Sequence, residues 1–183
     1  MLQVARDLFY WHGIRATGID KVAAEAGVAP TTLYRLFASK DDLVAAYVER
    51  EGRQFQGWFM AAVEVPDLAP QERILAVFDA LGEQVQPHQC RGCPFLMALA
   101  EFPDSSLPAH QQAVATKTWV RARFGELTEA FARTTPVDDP AALADRLMLV
   151  MEGVYASTQA LGAGGPAREA RALAESMLDA QRR

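Results

Sequence analysis

The sequence has few cysteines, few histidines and no long apolar run. Two cysteines in 183 residues argue against a secreted scaffold held by disulfides. The three histidines, His12, His88 and His110, form no evident Ser/His/Asp set or metal-carboxylate cluster. We therefore predict no catalytic residue, no metal and no cofactor, and a protein that is not an enzyme. No segment approaches the ~20 apolar residues of a membrane span, and the N-terminus lacks a signal peptide's basic-then-apolar order. These absences predict a soluble, cytoplasmic protein with no membrane partner.

An excess of positive charge is also missing, since the formal net charge is −5. The charge is unevenly spread, because basic and acidic residues balance up to Arg50 and the surplus acid follows it. A strongly basic domain is the usual footprint of indiscriminate nucleic-acid binding. A neutral N-terminal segment on an acidic body is instead compatible with specific binding and weak nonspecific binding.

Helical periodicity is present along nearly the whole chain. Half of the residues are hydrophobic, and they recur at the three- and four-residue spacing of amphipathic helices. Outside residues 17–40, this spacing predicts helices over 2–12, 41–63, 70–85, 94–102, 109–133, 140–161 and 167–181. Alternation typical of strands and internal repeats are both missing from the sequence. The predicted fold class is all-α.

Residues 17–42 have the pattern of a helix-turn-helix. The first helix has an apolar face made by Ile19, Val22, Ala23 and Ala26, and Gly27 can adopt the positive φ of a tight turn. Pro30 suits a first helical position, and the next buried stripe is predicted at Leu33, Leu36 and Phe37.

Two cap signals flank this helix-turn-helix. Thr17 with Asp20 has the spacing of a capping box, and Ser39 with Asp42 repeats that spacing at the start of the following helix. The pattern as a whole predicts a DNA-binding unit.

The first ~45 residues, a short domain by the usual size range, resemble the TetR/AcrR family of transcriptional regulators. The resemblance rests on the order G-V-x-x-x-T-L-Y-x-x-F-x-S-K from Gly27 to Lys40, preceded by Leu8-Phe9, Gly13, Thr17, Ile19 and Val22-Ala23. It implies a three-helix DNA-binding domain over residues 1–45 and a larger helical domain over 46–183. It also implies a double-stranded DNA operator, a small-molecule effector, and a homodimer formed through the last two helices.

The resemblance also implies which side chains contact DNA. The recognition helix would be 30–37, with Thr31 and Arg35 entering the major groove and Arg35 suited to a bidentate contact with guanine. The expected phosphate contacts are Thr17, Thr32, Tyr34 and Lys40. Ala29 and Pro30 replace residues that often cap this helix or contact DNA in the family, so both remove possible contacts.

Aromatic, methionine and acidic residues of the second domain are candidates for an effector pocket. Such pockets are mostly apolar with few polar groups. The predicted lining is Phe55, Trp58, Phe59, Phe78, Phe95, Met97, Trp119, Met148, Met151 and Tyr155, with Glu101, Glu152 and Gln159 as polar partners. The alternative is that these residues form an ordinary core.

Cys90 and Cys93 form the motif C-R-G-C-P-F. Pro94 at a first helical position would place Cys93 near a helix N-terminus, where the dipole stabilises a thiolate. Cys90 could then resolve an oxidised Cys93 as a disulfide. Three interpretations stay open: a redox or electrophile sensor, a structural role as buried small hydrophobes, and a zinc site that His88 and both cysteines leave one ligand short.

The leading functional hypothesis is a homodimeric repressor released from its operator by a small-molecule effector, with a thiol-reactive effector as one possibility. A thiol-disulfide oxidoreductase fails on fold, because such enzymes place C-x-x-C in a βαβ setting. An adaptor or effector-binding module that does not bind DNA is the third class.

Overall fold

The structure is a computed structural model that describes residues 1–86, 88–162 and 164–182. Its helices are α1 (Leu2–His12), α2 (Ile19–Glu25), α3 (Pro30–Leu36), α4 (Lys40–Val63), α5 (Pro70–Gln84), α6 (Pro94–Glu101), α7 (Pro108–Ala132), α8 (Pro140–Leu161) and α9 (Ala170–Asp179). Short 3₁₀ turns at Pro166–Glu169 and Ala180–Arg182 flank α9, where the sequence pattern predicts one continuous helix. The all-α prediction is confirmed, and within the described ranges there is no strand.

The chain forms two compact units, each assembled from two segments. Unit 1 consists of Met1–Gln54 and Pro94–Lys117, and unit 2 consists of Phe55–Cys93 and Thr118–Arg183. The domain boundary predicted between residues 45 and 46 follows chain order. The compact units divide the chain differently, because α6 and the first part of α7 pack with α1–α3 and the start of α4.

The helix-turn-helix forms largely as the pattern predicts. Val22, Ala23 and Leu33 are fully buried, and Gly27 takes φ 67° in the turn between α2 and α3. Leu36 differs from the prediction, because 59% of it is exposed. Leu36 is the last residue of α3, and the packing that buries Leu33 one turn earlier does not extend to it.

One predicted helix cap is present and the other is not. The amide of Asp42 donates to Ser39 Oγ at 3.1 Å, and the Ser39 hydroxyl donates to Asp42 Oδ2 at 2.8 Å, which confirms the cap of α4. The capping box predicted at Thr17 is wrong. Gly18 is the N-cap residue of α2, and the Thr17 hydroxyl donates backwards to the carbonyl of Gly13 at 2.8 Å.

The core of unit 1 joins α1 to α4 and α4 to α7. Phe9 and Tyr47 meet edge to face, with ring centroids 5.6 Å apart. Further along α4, a Cβ added to Gly52 would lie 2.8 Å from Thr116 Oγ1 of α7. A side chain larger than that of glycine would therefore force these helices apart.

Unit 2 contains α5, α8 and α9 together with the second parts of α4 and α7. Helices α5 and α8 both pack on α9, and Asp139 caps α8 by accepting the amide of Ala142 at 2.9 Å. The hydroxyl of Thr128 in α7 donates to the carbonyl of Pro140 at 2.9 Å, which ties α7 to the first residue of α8. None of the described helices is both long enough and apolar enough to cross a membrane.

Candidate DNA-binding surface and effector-domain residues

The outer face of α3 presents three of the predicted DNA contacts. Thr31, Tyr34 and Arg35 are all exposed, and 52% of Tyr34 is accessible. Residues separated by three or four positions lie on one side of a helix, so these side chains form one continuous face. Leu33 lies on the opposite side and is completely buried. The arrangement exposes Arg35 while Leu33 anchors α3 in the core.

The helix carrying this face begins without a side-chain cap. Ala29 is its N-cap residue and provides no side-chain hydrogen bond, and Pro30 follows at the first helical position. Thr32 is half-buried, and its amide donates to the carbonyl of Ala29 at 2.9 Å. Ala29 and Pro30, the two departures from the family pattern, therefore leave the N-terminus of α3 without a side-chain cap.

Two residues predicted to contact phosphates, Thr17 and Lys40, make hydrogen bonds within unit 1. Thr17 is 1% exposed, and its hydroxyl donates to the carbonyl of Gly13, so its side chain is buried within unit 1. Lys40 is half-buried at the start of α4, and its Nζ donates to the carbonyl of Arg15 at 3.2 Å. Burial lowers the pKa of the Lys40 ammonium, against the attraction of Glu101 and Asp41.

Glu101 holds the loop that joins α1 to α2. Its Oε1 accepts the amide of Ile14 at 3.0 Å, and its Oε2 accepts the amide of Arg15 at 2.6 Å. Arg15 Nε donates to the Glu101 carbonyl at 2.6 Å. Sequence reasoning placed Glu101 in an effector pocket, whereas the structure engages both carboxylate oxygens within unit 1. The 86 residues between the partners left no local signal for this contact.

Five of the predicted pocket residues lie in one aromatic cluster of unit 2, and a sixth aromatic ring, Phe124, connects two of them. Phe59 meets the rings of Trp119 and Phe124 at centroid distances of 5.4 Å and 5.5 Å, and Phe78 stacks on Phe124 at 6.0 Å. Phe55 and Trp58 extend the cluster along α4. Ring-to-ring packing at these distances is typical of a core.

The remaining pocket candidates are divided between the two units. Met151 and Tyr155 are buried on α8, and Met148 and Glu152 are half-buried on the same helix. Gln159 is exposed on α8, and the other candidates, Phe95, Met97 and Glu101, lie on α6 of unit 1. Phe95 is buried beneath the Lys117 ammonium, which is 5.6 Å from the ring centroid. The structure thus gathers part of the predicted set and separates the rest.

Cys90 and Cys93 are both buried and are not joined by a disulfide. Their exposed fractions are 7% and 3%. Cys93 immediately precedes Pro94, the first residue of α6, as the motif predicts. Gly92 between them has φ 134°, and a Cβ there would lie 2.6 Å from Oε1 of Gln159. Within the described ranges, no three His, Cys, Asp or Glu side chains gather as a metal site.

An apolar groove lies along α8 and the turn before α9. Its volume is about 400 Å³, and it is lined by Leu149, Val150, Gly153, Val154, Ser157, Pro166, Ala167, Glu169, Ala170 and Leu173. Leu149 and Leu173 are 70% and 51% exposed. Exposed leucines beside a groove of small residues are typical of a helix-packing surface.

Comparison with known proteins places both parts of the chain. Residues 1–47 match the family model for bacterial regulatory proteins of the tetR family. Residues 70–174 match the model for the tetracyclin repressor-like C-terminal domain. The chain belongs to the TetR family. This TetR-family protein is a DNA-binding transcriptional regulator and not an enzyme, in agreement with the sequence-based expectation.

The similarity of this TetR-family chain to known proteins extends over nearly its full length. It is 27% identical to the regulator YjdC of Escherichia coli over 97% of this chain and 91% of that one. It is 27% identical to the repressor KstR2 of Mycobacterium tuberculosis, covering 73% and 68% of the two chains. The crystal structure of the TetR-family regulator SCO4454 from Streptomyces coelicolor matches all of this chain and 94% of that chain, with a TM-score of 0.90 and 29% identity.

Proposed function

We propose that this protein is a homodimeric repressor that binds an operator through α3 and leaves it when a small molecule binds unit 2. The observation that carries the proposal is the exposed face that Thr31, Tyr34 and Arg35 form on α3. The opposite side of this helix is anchored in the core by Leu33. N-terminal residues of a recognition helix reach base edges in the major groove. Arg35 makes the bidentate contact to guanine, and Tyr34, Thr32 and Lys40 hold phosphates. The protein acts in the cytoplasm, where the operator is.

The dimer forms through α8 and α9. Support comes from the groove along α8 and from Leu149 and Leu173 beside it, which stay exposed in one copy of the chain. Burying each leucine in a second copy contributes about 1.5–3 kcal/mol. A two-fold dimer then sets two α3 helices one DNA turn or a multiple apart, which makes the operator palindromic.

The effector binds among the apolar and polar residues of unit 2. The half-buried rings of the aromatic cluster, Trp58 and Trp119, supply the apolar surface, and Glu152 of α8 supplies a polar partner for orientation. Effector binding shifts the population away from the DNA-binding form only if the ligand prefers the other form. Trp58 and Trp119 are both half-buried, so their fluorescence reports effector binding directly.

A thiol-reactive effector is the more specific form of this proposal. Cys93 stands directly before α6, where a helix dipole favours a thiolate, and Cys90 is three residues away and able to form a disulfide. Both thiols are buried, so reaction with an oxidant requires the loop from Cys90 to Cys93 to open first. Such a reaction couples oxidation to a conformational change.

The deciding experiment is a gel shift on DNA flanking the protein's own gene, with and without candidate effectors. A repressor forms a sequence-specific complex that persists in the presence of excess nonspecific DNA, and an effector dissociates this complex. Footprinting then shows a palindrome with half-sites about one DNA turn or a multiple apart. Wild-type protein that gives no sequence-specific complex on this DNA favours the adaptor function instead.

A further inference from the structure

Side chains bind four backbone groups of the α1–α2 loop, residues 13–18. The Gly13 carbonyl accepts the Thr17 hydroxyl at 2.8 Å. The amides of Ile14 and Arg15 donate to the two oxygens of the Glu101 carboxylate. The Arg15 carbonyl accepts Lys40 Nζ at 3.2 Å. The bonds at Gly13 and Ile14 are partly buried, whereas those at Arg15 are exposed. Together these bonds hold the loop in one conformation.

Glu101 contributes the most to this set, and it comes from α6 rather than from the DNA-binding helices. Hydrogen bonds to an ionised acceptor are roughly twice as strong as those between neutral groups. Arg15 strengthens the attachment, because its Nε donates to the Glu101 carbonyl at 2.6 Å and its guanidinium lies 5.4 Å from the centroid of the Phe102 ring. Three hydrogen bonds therefore fix the loop to the C-terminal end of α6.

The α1–α2 loop is the element from which α2 and α3 emerge. Ile14 is 2% exposed and Thr17 is 1% exposed, so packing fixes these two side chains, while Glu101 binds the amides of Ile14 and Arg15. Loops without such bonds belong to the least stable parts of a protein. A loop that samples other conformations would present α3 correctly for only a fraction of the time, and apparent affinity falls by that fraction.

We propose that Glu101 is a positioning residue for operator recognition, because its carboxylate sets the α1–α2 loop and with it the orientation of α2 and α3. Glu101 does this without touching DNA, since its carboxylate oxygens are bound to backbone amides. This role rests on the proposed function, and it extends the set of residues that determine DNA binding beyond the matched N-terminal segment. It also gives a function to a residue that sequence reasoning assigned to the effector pocket.

The test compares Glu101→Gln with Glu72→Gln in the full-length protein. Glutamine keeps the size but offers one acceptor oxygen and sets an NH₂ group against a backbone amide. Operator affinity of Glu101→Gln should fall roughly tenfold or more, the effect of losing about one charge-assisted hydrogen bond. Affinity for a random duplex should not fall, since no positive charge is lost. Glu72 is the matched control, because it accepts the Ala69 amide at 2.9 Å in unit 2.

The outcomes separate positioning from stability and from the proposed function itself. Specific binding by the wild type with a selective loss in Glu101→Gln supports the positioning role. Equal operator-to-random affinity ratios in the wild type and both variants, at a temperature where all are folded, overturn it and leave the repressor function intact. A wild-type protein without specific binding overturns the proposed function and this role together.

Hydrogen exchange of the wild-type protein gives a measurement that needs no variant. The Ile14 and Arg15 amides should exchange slowly in the absence of DNA, because both are bound to Glu101. Fast exchange at both amides, while those of α1 and α4 stay protected, overturns the positioning role even if Glu101→Gln fails to fold.

Discussion

Gly52 of α4 and Thr116 of α7 approach so closely that a Cβ on the glycine would lie 2.8 Å from the threonine hydroxyl oxygen. Thr116 is 5% exposed, and its hydroxyl donates to the carbonyl of Gln112 at 3.0 Å, so it cannot move away freely. The glycine that weakens helix propensity in the middle of α4 is therefore required by packing.

Gly52→Ala should lower the free energy of unfolding by roughly 1–3 kcal/mol, the usual cost of overpacking. The matched control is Gly57→Ala in the same helix, where an added Cβ meets no described atom within 4 Å. There the gain in helix propensity, up to about 1 kcal/mol, should appear as stabilisation. Urea unfolding at one fixed protein concentration measures both. A Gly52→Ala protein as stable as Gly57→Ala would contradict the close crossing.

Arg35→Ala should weaken operator binding more than nonspecific binding. One bidentate contact to guanine is worth about 1–3 kcal/mol, and a dimer makes it twice, so the expected loss is roughly 2–6 kcal/mol. Arg53→Ala is the control, because Arg53 is an exposed arginine of α4 that pairs with Glu49. Binding isotherms on operator and random duplexes at two salt concentrations distinguish a base contact of Arg35 from a phosphate contact. Equal losses on both duplexes would make Arg35 a phosphate contact.

Glu51 should make stability depend on pH. Burial raises the pKa of its carboxyl above the ordinary 4.5, and Arg6, 3.4 Å away, opposes this only in part. At pH values between the pKa of Glu51 in the unfolded state and its higher pKa in the folded state, the folded state binds more protons than the unfolded state. The stabilisation by Glu51 is therefore complete below the unfolded pKa and is lost as pH rises through the folded one.

The difference in unfolding free energy between wild type and Glu51→Gln should accordingly be most favourable to the wild type near pH 4 and shrink towards pH 8. Glu49→Gln removes a half-exposed carboxylate from the same helix and should leave that trend in place, since surface ion pairs contribute little. A pH-independent difference for Glu51→Gln would show that its carboxyl is not shifted by burial.

The buried cysteines should react slowly in the folded protein. With exposed fractions of 7% and 3%, Cys90 and Cys93 should be alkylated by iodoacetamide far more slowly than in urea, because attack requires access to the thiolate. If oxidants are effectors, peroxide should release the operator from wild type and not from Cys93→Ser. Release that is unchanged when both cysteines are replaced by serine would exclude a thiol sensor.

Leu149→Glu and Leu173→Glu should dissociate the dimer. Each copy would lose a buried leucine worth about 1.5–3 kcal/mol and gain a charge in an apolar interface. The dissociation constant of the dimer should therefore rise by roughly a hundredfold or more. Val65→Glu, at a loop residue that is 42% exposed, is the control. Sedimentation equilibrium at micromolar concentration measures all three. Dimers that persist in both leucine variants would place the interface elsewhere.

Much of the helical architecture could be predicted because the sequence marks the ends of its helices with proline and glycine. Pro30, Pro70, Pro94 and Pro140 are all first helical residues in the structure. The Thr17 prediction was wrong because a threonine near a helix start can bond forwards or backwards, and local sequence does not decide which. The predicted burial of Leu36 was wrong because periodicity shows which residues share a helix face but does not show what packs against that face.

The exposed face of α3, which we propose contacts DNA, was also predictable, because it depends on residues three or four positions apart in one helix. Glu101 was not, since its contact with Ile14 and Arg15 joins segments 86 or more residues apart. Nor did the aromatic residues of the predicted pocket reveal that some lie on α6 of unit 1 and others in the cluster of unit 2. Residue type indicates burial, whereas tertiary packing decides which residues meet.

The discontinuous make-up of unit 1 bears on how such regulators can be recombined. A chimaera that exchanges only residues 1–47 would transplant α1–α3 but leave behind α6 and the start of α7, which belong to the same compact unit. The graft would then be separated from its own α6, which supplies the Glu101 carboxylate to the amides of Ile14 and Arg15. Exchanging DNA specificity between relatives therefore calls for a two-segment graft, residues 1–54 together with 94–117, rather than an N-terminal cassette.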